Sequence, residues 1–459
     1  MTLTLPGSAK PTESPLISMV MPVHDAQHID AALESLLAQQ DGSELAGKLE
    51  LIVVDDGSSA PLALRVTARF AQARVVRQPR RGPAAARNRG LQLARAPLVG
   101  FLDADDILLP GALARLLHIL AHNPNLAAVH GTVRSFQTGG HPGASYPGYN
   151  LGALLARREA LEAAGGFDEQ LQRGEDADLF KRFRLQGLPV VAIAEPVLLY
   201  RERRASADQA MWRRRIELIR ELRQRGEGVR AADELPDQHV TALLVVKDGM
   251  PYLPEAVASM RAQSCPPDRM LAVVAGADED ARAWLDSQPD IEVHMQTGSG
   301  LAQARNQALG LVDRGWLAFL DHDDLWEADK LARQRRLAAR LTGPCAVTGR
   351  MVNRGKQGGR ETADETSSEA STGWTPSALL IHREVFTHIG PFDERLDLAC
   401  DSDWVRRLRA SHLPFLLTPA VVMTKRRHSD NLSQSPQRNR AAAFSMIAKH
   451  RSQRRGRDA

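Results

Sequence analysis

Unbroken apolar stretches recur along the chain, each followed by a run whose apolar residues fall three or four positions apart. Leu16–Pro22 and Leu49–Val54 show no polar alternation, which predicts strands buried on both faces, as in parallel sheets. Between them Leu33, Leu36 and Leu37 share one helical face, with Asp30 placed to cap the helix. Arg74–Arg77 reads as a third strand, and Gly82-Pro83 opens another helix, since proline is tolerated in a first turn. Leu98–Leu102 is the next strand and runs into Asp103-Ala104-Asp105-Asp106. Alternating strands and helices predict an α/β fold whose mainly parallel sheet is covered by helices on both faces. Ligands of such sheets bind beyond the carboxyl ends of the strands, where Asp55-Asp56 and Asp103-Ala104-Asp105 both fall.

The pattern then repeats. Val240–Val246 matches the first strand, and Trp316–Leu320 runs into Asp321-His322-Asp323-Asp324 as Leu98–Leu102 runs into its carboxylates. Arg87 and Arg305, like Asp103 and Asp321, are 218 residues apart, whereas Asp176 and Asp401 are 225 apart. Gly165-Gly166-Phe167-Asp168-Glu169 is echoed by Ile389-Gly390-Pro391-Phe392-Asp393-Glu394. Nearly constant offsets at several motifs predict two homologous domains, residues 16–205 and 239–434. A disordered tail (1–15), a basic helical linker (206–238) and a basic C-terminal tail (435–459) flank them. Irregular stretches fall at matching places, 134–150 and 354–373; the second, rich in Gly, Ser, Thr and Glu, is expected to be a mobile loop.

Composition narrows the class. With 43% hydrophobic and 25% charged residues, the 459-residue chain can bury more than one core. The net charge of +4 is modest for that length, and no nucleic-acid partner is expected. Three scattered cysteines have no metal-binding spacing and read as reduced thiols of a cytoplasmic protein. No apolar run reaches the ~18 residues of a spanning helix, and the first fifteen residues lack a signal-peptide core. In the linker, Met211–Arg225 puts Trp212, Ile216 and Ile219 on one face among many arginines. It reads as a solvated connecting helix, or as a basic surface making peripheral contact with an anionic membrane or lipid-phosphate carrier.

Like charges ~4 Å apart repel by roughly 4 kcal/mol at an effective dielectric near 20, so the aspartate cluster calls for a cation or wide spacing. On an extended backbone Asp103 and Asp105 point the same way, which suits a hard divalent ion carrying a phosphorylated ligand. Val54-Asp55-Asp56-Gly57-Ser58, Ala86-Arg87-Asn88-Arg89-Gly90, Phe101-Leu102-Asp103-Ala104-Asp105-Asp106 and Gly165-Gly166-Phe167-Asp168-Glu169 followed by Glu175-Asp176 together resemble glycosyltransferase family 2. The resemblance covers residues 16–204 and 240–433. It implies two tandem GT-A domains, the nucleotide-diphospho-sugar transferase fold, and inversion at the anomeric carbon.

Carried over by position, Asp55 and Asp56 would face the nucleotide base and ribose; plain turn chemistry is the alternative for Asp-Gly-Ser. Asp103 would meet the ribose and Asp105 a Mn²⁺ or Mg²⁺ ion on the diphosphate, while Asp106 would cap the next helix. Asp176 would take the proton of the acceptor hydroxyl; a carboxylate serving only the helix dipole is the alternative. Arg87 would lie near the nucleotide, or stand as a solvated helix arginine. In the second copy Arg305 and Asp321 take the nucleotide-side roles, Asp323 and His428 the metal, and Asp401 the base. That copy has Val274-Ala275-Gly276-Ala277-Asp278 where the first has Asp55-Asp56-Gly57-Ser58, so the base-contacting carboxylates are missing there or replaced by Asp278. Conversely, counting from Pro196 and Pro419, the first has Ala205 where the second has His428.

The resemblance therefore implies a metal-dependent transferase moving sugar from a nucleotide-diphospho-sugar, with UDP as nucleotide, to a hydroxyl. A glycan or lipid-linked acceptor in surface polysaccharide synthesis is the first reading, and a peptide acceptor the second. A further alternative makes the second domain an idle acceptor-binding module. The Gln-x-x-Arg-Trp motif of processive members is missing, so one or a few additions are expected.

Overall fold

The computed structural model describes residues 14–25, 27–137, 142–143, 145–146, 150–171, 174–202, 239–247, 250, 252–275, 279–357, 360–363, 370–396 and 399–427. The chain divides into two compact units, Met1–Ala232 and Asp233–Ala459. The expected linker helix, the C-terminal tail and His428 lie outside the described residues.

In the first unit the apolar runs form β1 (Ile17–Val23), β2 (Leu49–Asp56), β3 (Arg74–Gln78) and β4 (Leu98–Phe101). All eight residues of β2 are buried, as a strand covered on both faces must be. The helices between them are α1 (Ile29–Leu37), α2 (Ala63–Arg69) and α3 (Pro83–Leu93). β1 pairs in parallel with β2 and β4, and β2 with β3, giving the order β3-β2-β1-β4. The chain steps outward from β1 to β3 and then returns to β1's other side, so the strand order reverses between β1 and β4. The crevice beyond those carboxyl ends is where open α/β sheets bind ligands.

Past β4 come β5 (Ile107–Leu108), α4 (Ala112–His122), β6 (Ala128–Phe136), β7 (Ser145–Tyr146) and β8 (Leu154–Arg157). After them come α5 (Arg158–Ala163), α6 (Glu175–Leu185) and β9 (Val190–Arg201). β8 runs antiparallel between β4 and β6, and β9 lies parallel to β6. Leu179, Phe180 and Phe183 form the buried stripe of α6 and join Val20, Phe101 and Phe167 in one core cluster. Burying a side chain of that size contributes about 2–3 kcal/mol, which fixes the start of α6 relative to the sheet.

The second unit repeats this order with β10 (Val240–Val246), α7 (Leu253–Arg261), β11 (Arg269–Val274), α8 (Glu279–Asp286), β12 (Ile291–Met295), α9 (Leu301–Gly310) and β13 (Trp316–Asp321). It continues with β14 (Leu325–Trp326), α10 (Lys330–Ala338), β15 (Ala346–Gln357), β16 (Arg360–Ala363), β17 (Ser371–Thr372), β18 (Leu380–His382), α11 (Arg383–Ile389), α12 (Cys400–Ala410) and β19 (Phe415–Arg427). The parallel order is β12-β11-β10-β13, with β18 antiparallel to β13.

Several local expectations need correction. Asp30 lies in the first turn of α1 without capping it, and its carboxylate pairs with Arg65 on α2 at 2.9 Å. Asp106 does not cap α4, which starts after Gly111; its Oδ1 accepts from the backbone N–H of Arg201 at the end of β9. The stretch 354–373 is not all irregular, because β15 and β16 pair antiparallel from Arg354↔Ala363 to Gln357↔Arg360. The prolines Pro196 and Pro419 are not equivalent. Ile107 pairs with Leu199 and Leu325 with Thr424, so this strand carries an offset of 225 rather than the 223 between the prolines. By that count the sequence position matching His428 is Arg203, not Ala205. All three cysteines are free thiols, and burial pushes the Cys345 thiol up to about 12. Among the described residues no helix is long and apolar enough to cross a membrane.

Candidate functional site

The carboxyl edge of the first unit gathers four motifs. β2 ends in Asp55 and Asp56, both buried. Asp55 Oδ1 accepts from the N–H of Ser58 at 2.8 Å, and Arg77 Nη1 lies 3.5 Å from Oδ2. Asp56 is used more heavily: Oδ1 accepts from Gln78 Nε2 at 2.9 Å and Arg81 N at 2.8 Å, and Oδ2 from Gly82 N at 2.8 Å. It thereby ties the end of β2 to the residues entering α3 and satisfies donors at that helix start. Gly57, at φ +76°, lets the turn pack here, since a Cβ would sit 2.9 Å from Arg80 N.

One turn into α3 stands Arg87, only 4% exposed. The reading as a solvated helix arginine is therefore wrong. Its Nη2 donates to Asp103 Oδ1 at 2.7 Å and its Nη1 to Glu175 Oε1 at 2.6 Å. The guanidinium lies 5.9 Å from the centre of the Phe167 ring. Burial alone would weaken its hold on its proton, but Asp103 and Glu175 more than offset this and raise its pKa. Its buried Nε has no hydrogen-bond partner among the described residues. One planar fork thus joins the carboxylate just past β4 to the first residue of α6. Asp176 is the second residue of that helix and accepts from the N–H of Ala177 at 2.7 Å.

The aspartates after β4 are not on an extended backbone. β4 stops at Phe101, and Asp106 N donates to Asp103 O at 3.1 Å, closing a turn with Asp105 in its third position. The turn sends Asp106 inward toward β9, while Asp103 and Asp105 stay partly exposed at the edge. Arg201 Nε donates to the backbone oxygen of Asp105 at 3.0 Å. Among the described residues no three His, Cys, Asp or Glu side chains form a group able to hold a metal ion.

In the second unit Arg305 takes Arg87's place, fully buried, with Nη2 donating to Asp321 Oδ1 at 2.8 Å. Its Nη1 donates to Asp401 Oδ1, on α12. Asp321 is pulled toward ionisation: burial opposes this, but Arg305 and Lys425 outweigh it. Asp323 occupies the same turn position as Asp105, since Asp324 N donates to Asp321 O at 3.0 Å. Among the described residues Asp55 and Asp56 have no carboxylate counterpart, and Asp278 lies outside them. Val274 pairs with Val246 as Asp55 pairs with Val23, so Val274 and Ala275 stand at the positions of Asp55 and Asp56. Glutamines hold the turn into α9 instead: Gln296 Nε2 donates to Gly300 O and Gln303 Oε1 at 2.9 Å, and Gln307 Oε1 accepts from Thr297 N at 2.9 Å.

Glu175 and the asparagines Asn88 and Asn306 escaped the sequence reading. Glu175 looked like a mere neighbour of Asp176, although Cys400 at its place in the repeat signals that the position is special. Asn88 and Asn306 clamp the glycine-rich turns before α6 and α12.

Named proteins resemble this chain in sequence. The O-antigen biosynthesis protein RfbC of Myxococcus xanthus is 26% identical over 86% of this chain and 36% of its own length. The succinoglycan biosynthesis protein ExoU of Rhizobium meliloti is 32% identical over 39% of this chain and 59% of its own. The chain thus matches less than two thirds of the length of these curated relatives. The crystal structure of S. aureus TarS 1–349 with UDP-GlcNAc aligns at a TM-score of 0.38 and 18% identity, over 47% of this chain and 68% of that one. The family model for glycosyl transferase family 2 matches residues 18–166 and 242–392, which is more than half of the sequence, once in each unit. The chain belongs to glycosyl transferase family 2, carrying two copies of its domain in tandem.

Proposed function

We propose that the first unit transfers a sugar from a nucleotide-diphospho-sugar to a hydroxyl of a growing surface glycan or its lipid-linked precursor, with inversion at the anomeric carbon. One observation carries this reading. Arg87 joins Asp103, at the strand end where donors bind in such sheets, to Glu175 beside Asp176, so donor and acceptor carboxylates converge on one edge. Asp176 removes the proton of the acceptor hydroxyl as that oxygen bonds to C1. The bond from C1 to the diphosphate breaks, and the electron pair leaves with the nucleoside diphosphate. Asp55 accepts hydrogen bonds from the base, with UDP the first nucleotide to try, because a uracil imide N–H suits a carboxylate.

Asp105, with Asp103 beside it, offers the hard oxygen donors that Mn²⁺ or Mg²⁺ takes, and such ions commonly complete their shell with substrate phosphate and water. When bound, the ion would neutralise charge on the leaving diphosphate. The names of RfbC and ExoU, which assign those proteins to O-antigen and succinoglycan biosynthesis, support a polysaccharide acceptor.

The test is a screen of UDP- and GDP-sugars for donor consumption by the full chain, with and without Mn²⁺. Turnover of at least one donor is expected, falling about 100-fold or more in Asp176→Asn, the scale of a lost general base. No consumption of any nucleotide-sugar by the parent chain overturns the reading.

A further inference from the structure

The two units hold nearly the same buried arginine but balance it with different carboxylates. Nη2 bonds the strand-end aspartate in both, at 2.7 Å to Asp103 and 2.8 Å to Asp321. Nη1 bonds Glu175, the first residue of α6, in one unit and Asp401, the second residue of α12, in the other.

The helices themselves are not displaced. Arg182 Nε pairs with Asp178 at 2.7 Å, and Arg407 Nε with Asp403 at 2.9 Å. Arg182 Nη1 donates to Ala164 O, as Arg407 Nη1 does to Ile389 O. Each of these pairs is 225 residues apart, which makes Asp401 the counterpart of Asp176 and Cys400 that of Glu175. The change of partner therefore follows from chemistry. A buried guanidinium is tolerated only with well-placed acceptors. Glu175, only 13% exposed, has the reach to meet Arg87 from the first helical position. Cys400 is fully buried, its Sγ donates to Asp401 Oδ1 at 3.4 Å, and Asp401 is the carboxylate that meets Arg305 in its stead.

We propose that the residue preceding the base position decides what the base-position carboxylate does. Glu175 is a positioning residue that serves as counter-ion to Arg87, whereas in the second unit Asp401 is the counter-ion of Arg305 and a structural group rather than a base. The inference deepens the transferase reading and rests on it for the first unit only. It gives the two base-position carboxylates different duties, with Asp401 committed to Arg305 in a unit where, among the described residues, Asp55 and Asp56 have no carboxylate counterparts.

Two arms test it on the full chain. In the first, Glu175→Cys copies the second unit. Turnover is expected to fall about tenfold or more with donor KM within about twofold, as Asp176 is drawn to Arg87 and misplaced. Glu175→Gln, which keeps an acceptor of equal reach, should fall between the two. Turnover of Glu175→Cys equal to the parent's overturns the positioning role. The second arm needs no activity. Asp401→Asn should speed amide hydrogen exchange across residues 400–410 by about threefold or more, and adding Cys400→Glu should reverse this by returning the charge to the first helical position. Unchanged exchange in Asp401→Asn, or no reversal, overturns the counter-ion role. A parent chain without any transfer defeats the proposed function, and the exchange arm still decides the counter-ion.

Discussion

Asn88 grips the backbone of Phe167 from both sides: its Nδ2 donates to Phe167 O, and its Oδ1 accepts from Phe167 N, each at 2.8 Å. The same amide donates to Glu169 at 3.0 Å. Asn306 repeats the grip on Phe392 and Glu394. The clamp explains why an Arg-Asn pair on α3 and a Gly-Phe-Asp-Glu turn far along the chain occur together. The first supplies an amide that the second needs to hold its turn ahead of α6. Gly166, at φ +66°, completes the fit, since a Cβ there would come 2.7 Å from Asn88 Oδ1.

Asn88→Ala should therefore destabilise the first unit by about 1–3 kcal/mol, the cost of leaving backbone groups of a part-buried turn unpaired. A urea titration followed by fluorescence measures it. Turnover should fall as well, because Glu175 and Asp176 follow that turn.

Gly90 has a packing reason rather than a backbone one. A Cβ there would lie 2.1 Å from Val20 Cγ1 and 2.9 Å from Cγ2, so α3 rests on β1 through this missing side chain. Helical glycine normally costs about 1 kcal/mol against alanine, yet Gly90→Ala should destabilise by about 1–3 kcal/mol through overpacking. Val20→Ala in the same chain should recover part of the loss. A double-mutant cycle from denaturant midpoints gives the coupling, and simple additivity would count against contact at this point.

The strand order and the duplication were legible because both rest on local signals: uninterrupted apolar runs, and motifs recurring 218 or 225 residues apart. The fate of single carboxylates was not. Asp56 looks like a ligand contact in sequence, but in the fold its oxygens hold Gln78, Arg81 and Gly82, partners set by how β3 and α3 come round to β2. Arg87 could not be told from a surface arginine, since α3 is rich in alanine and has no clear apolar stripe to mark its buried face. The turn at Asp103–Asp106 was missed because strand alternation was carried past Phe101, where Arg201 on β9 draws Asp106 inward. A partner 95 residues away leaves no trace in a local window.

Arg87 tests the buried ion pairs directly. Arg87→Met removes the guanidinium and leaves Glu175, 13% exposed, without its partner, while Asp103, 39% exposed, is relieved by water. The loss should be about 3 kcal/mol, the low end for breaking a buried pair. Arg87→Lys keeps the charge but cannot bond both carboxylates through a planar fork, so it should recover less than half. Thermal unfolding of the three chains gives the order parent, lysine, methionine.

Lys330 offers a pH test confined to the second unit. Its ammonium is fully buried, donating to Gln334 Oε1 at 2.9 Å and Leu379 O at 3.0 Å, with the Trp326 ring centre 4.6 Å away. Burial holds its pKa well below the usual 10.5. The unfolded chain keeps its proton up to about that usual value, so between the lowered folded pKa and 10.5 unfolding takes up a proton. Stability supplied by this group must then rise with pH across that window, by at most about 1.4 kcal/mol per pH unit at 25 °C. Lys330→Met removes the titration while keeping the volume of the stem. Comparing urea midpoints at several pH values below 10.5, the parent should gain stability relative to Lys330→Met as pH rises. A difference between the two chains that does not change with pH would mean that Lys330 stays charged in its buried site.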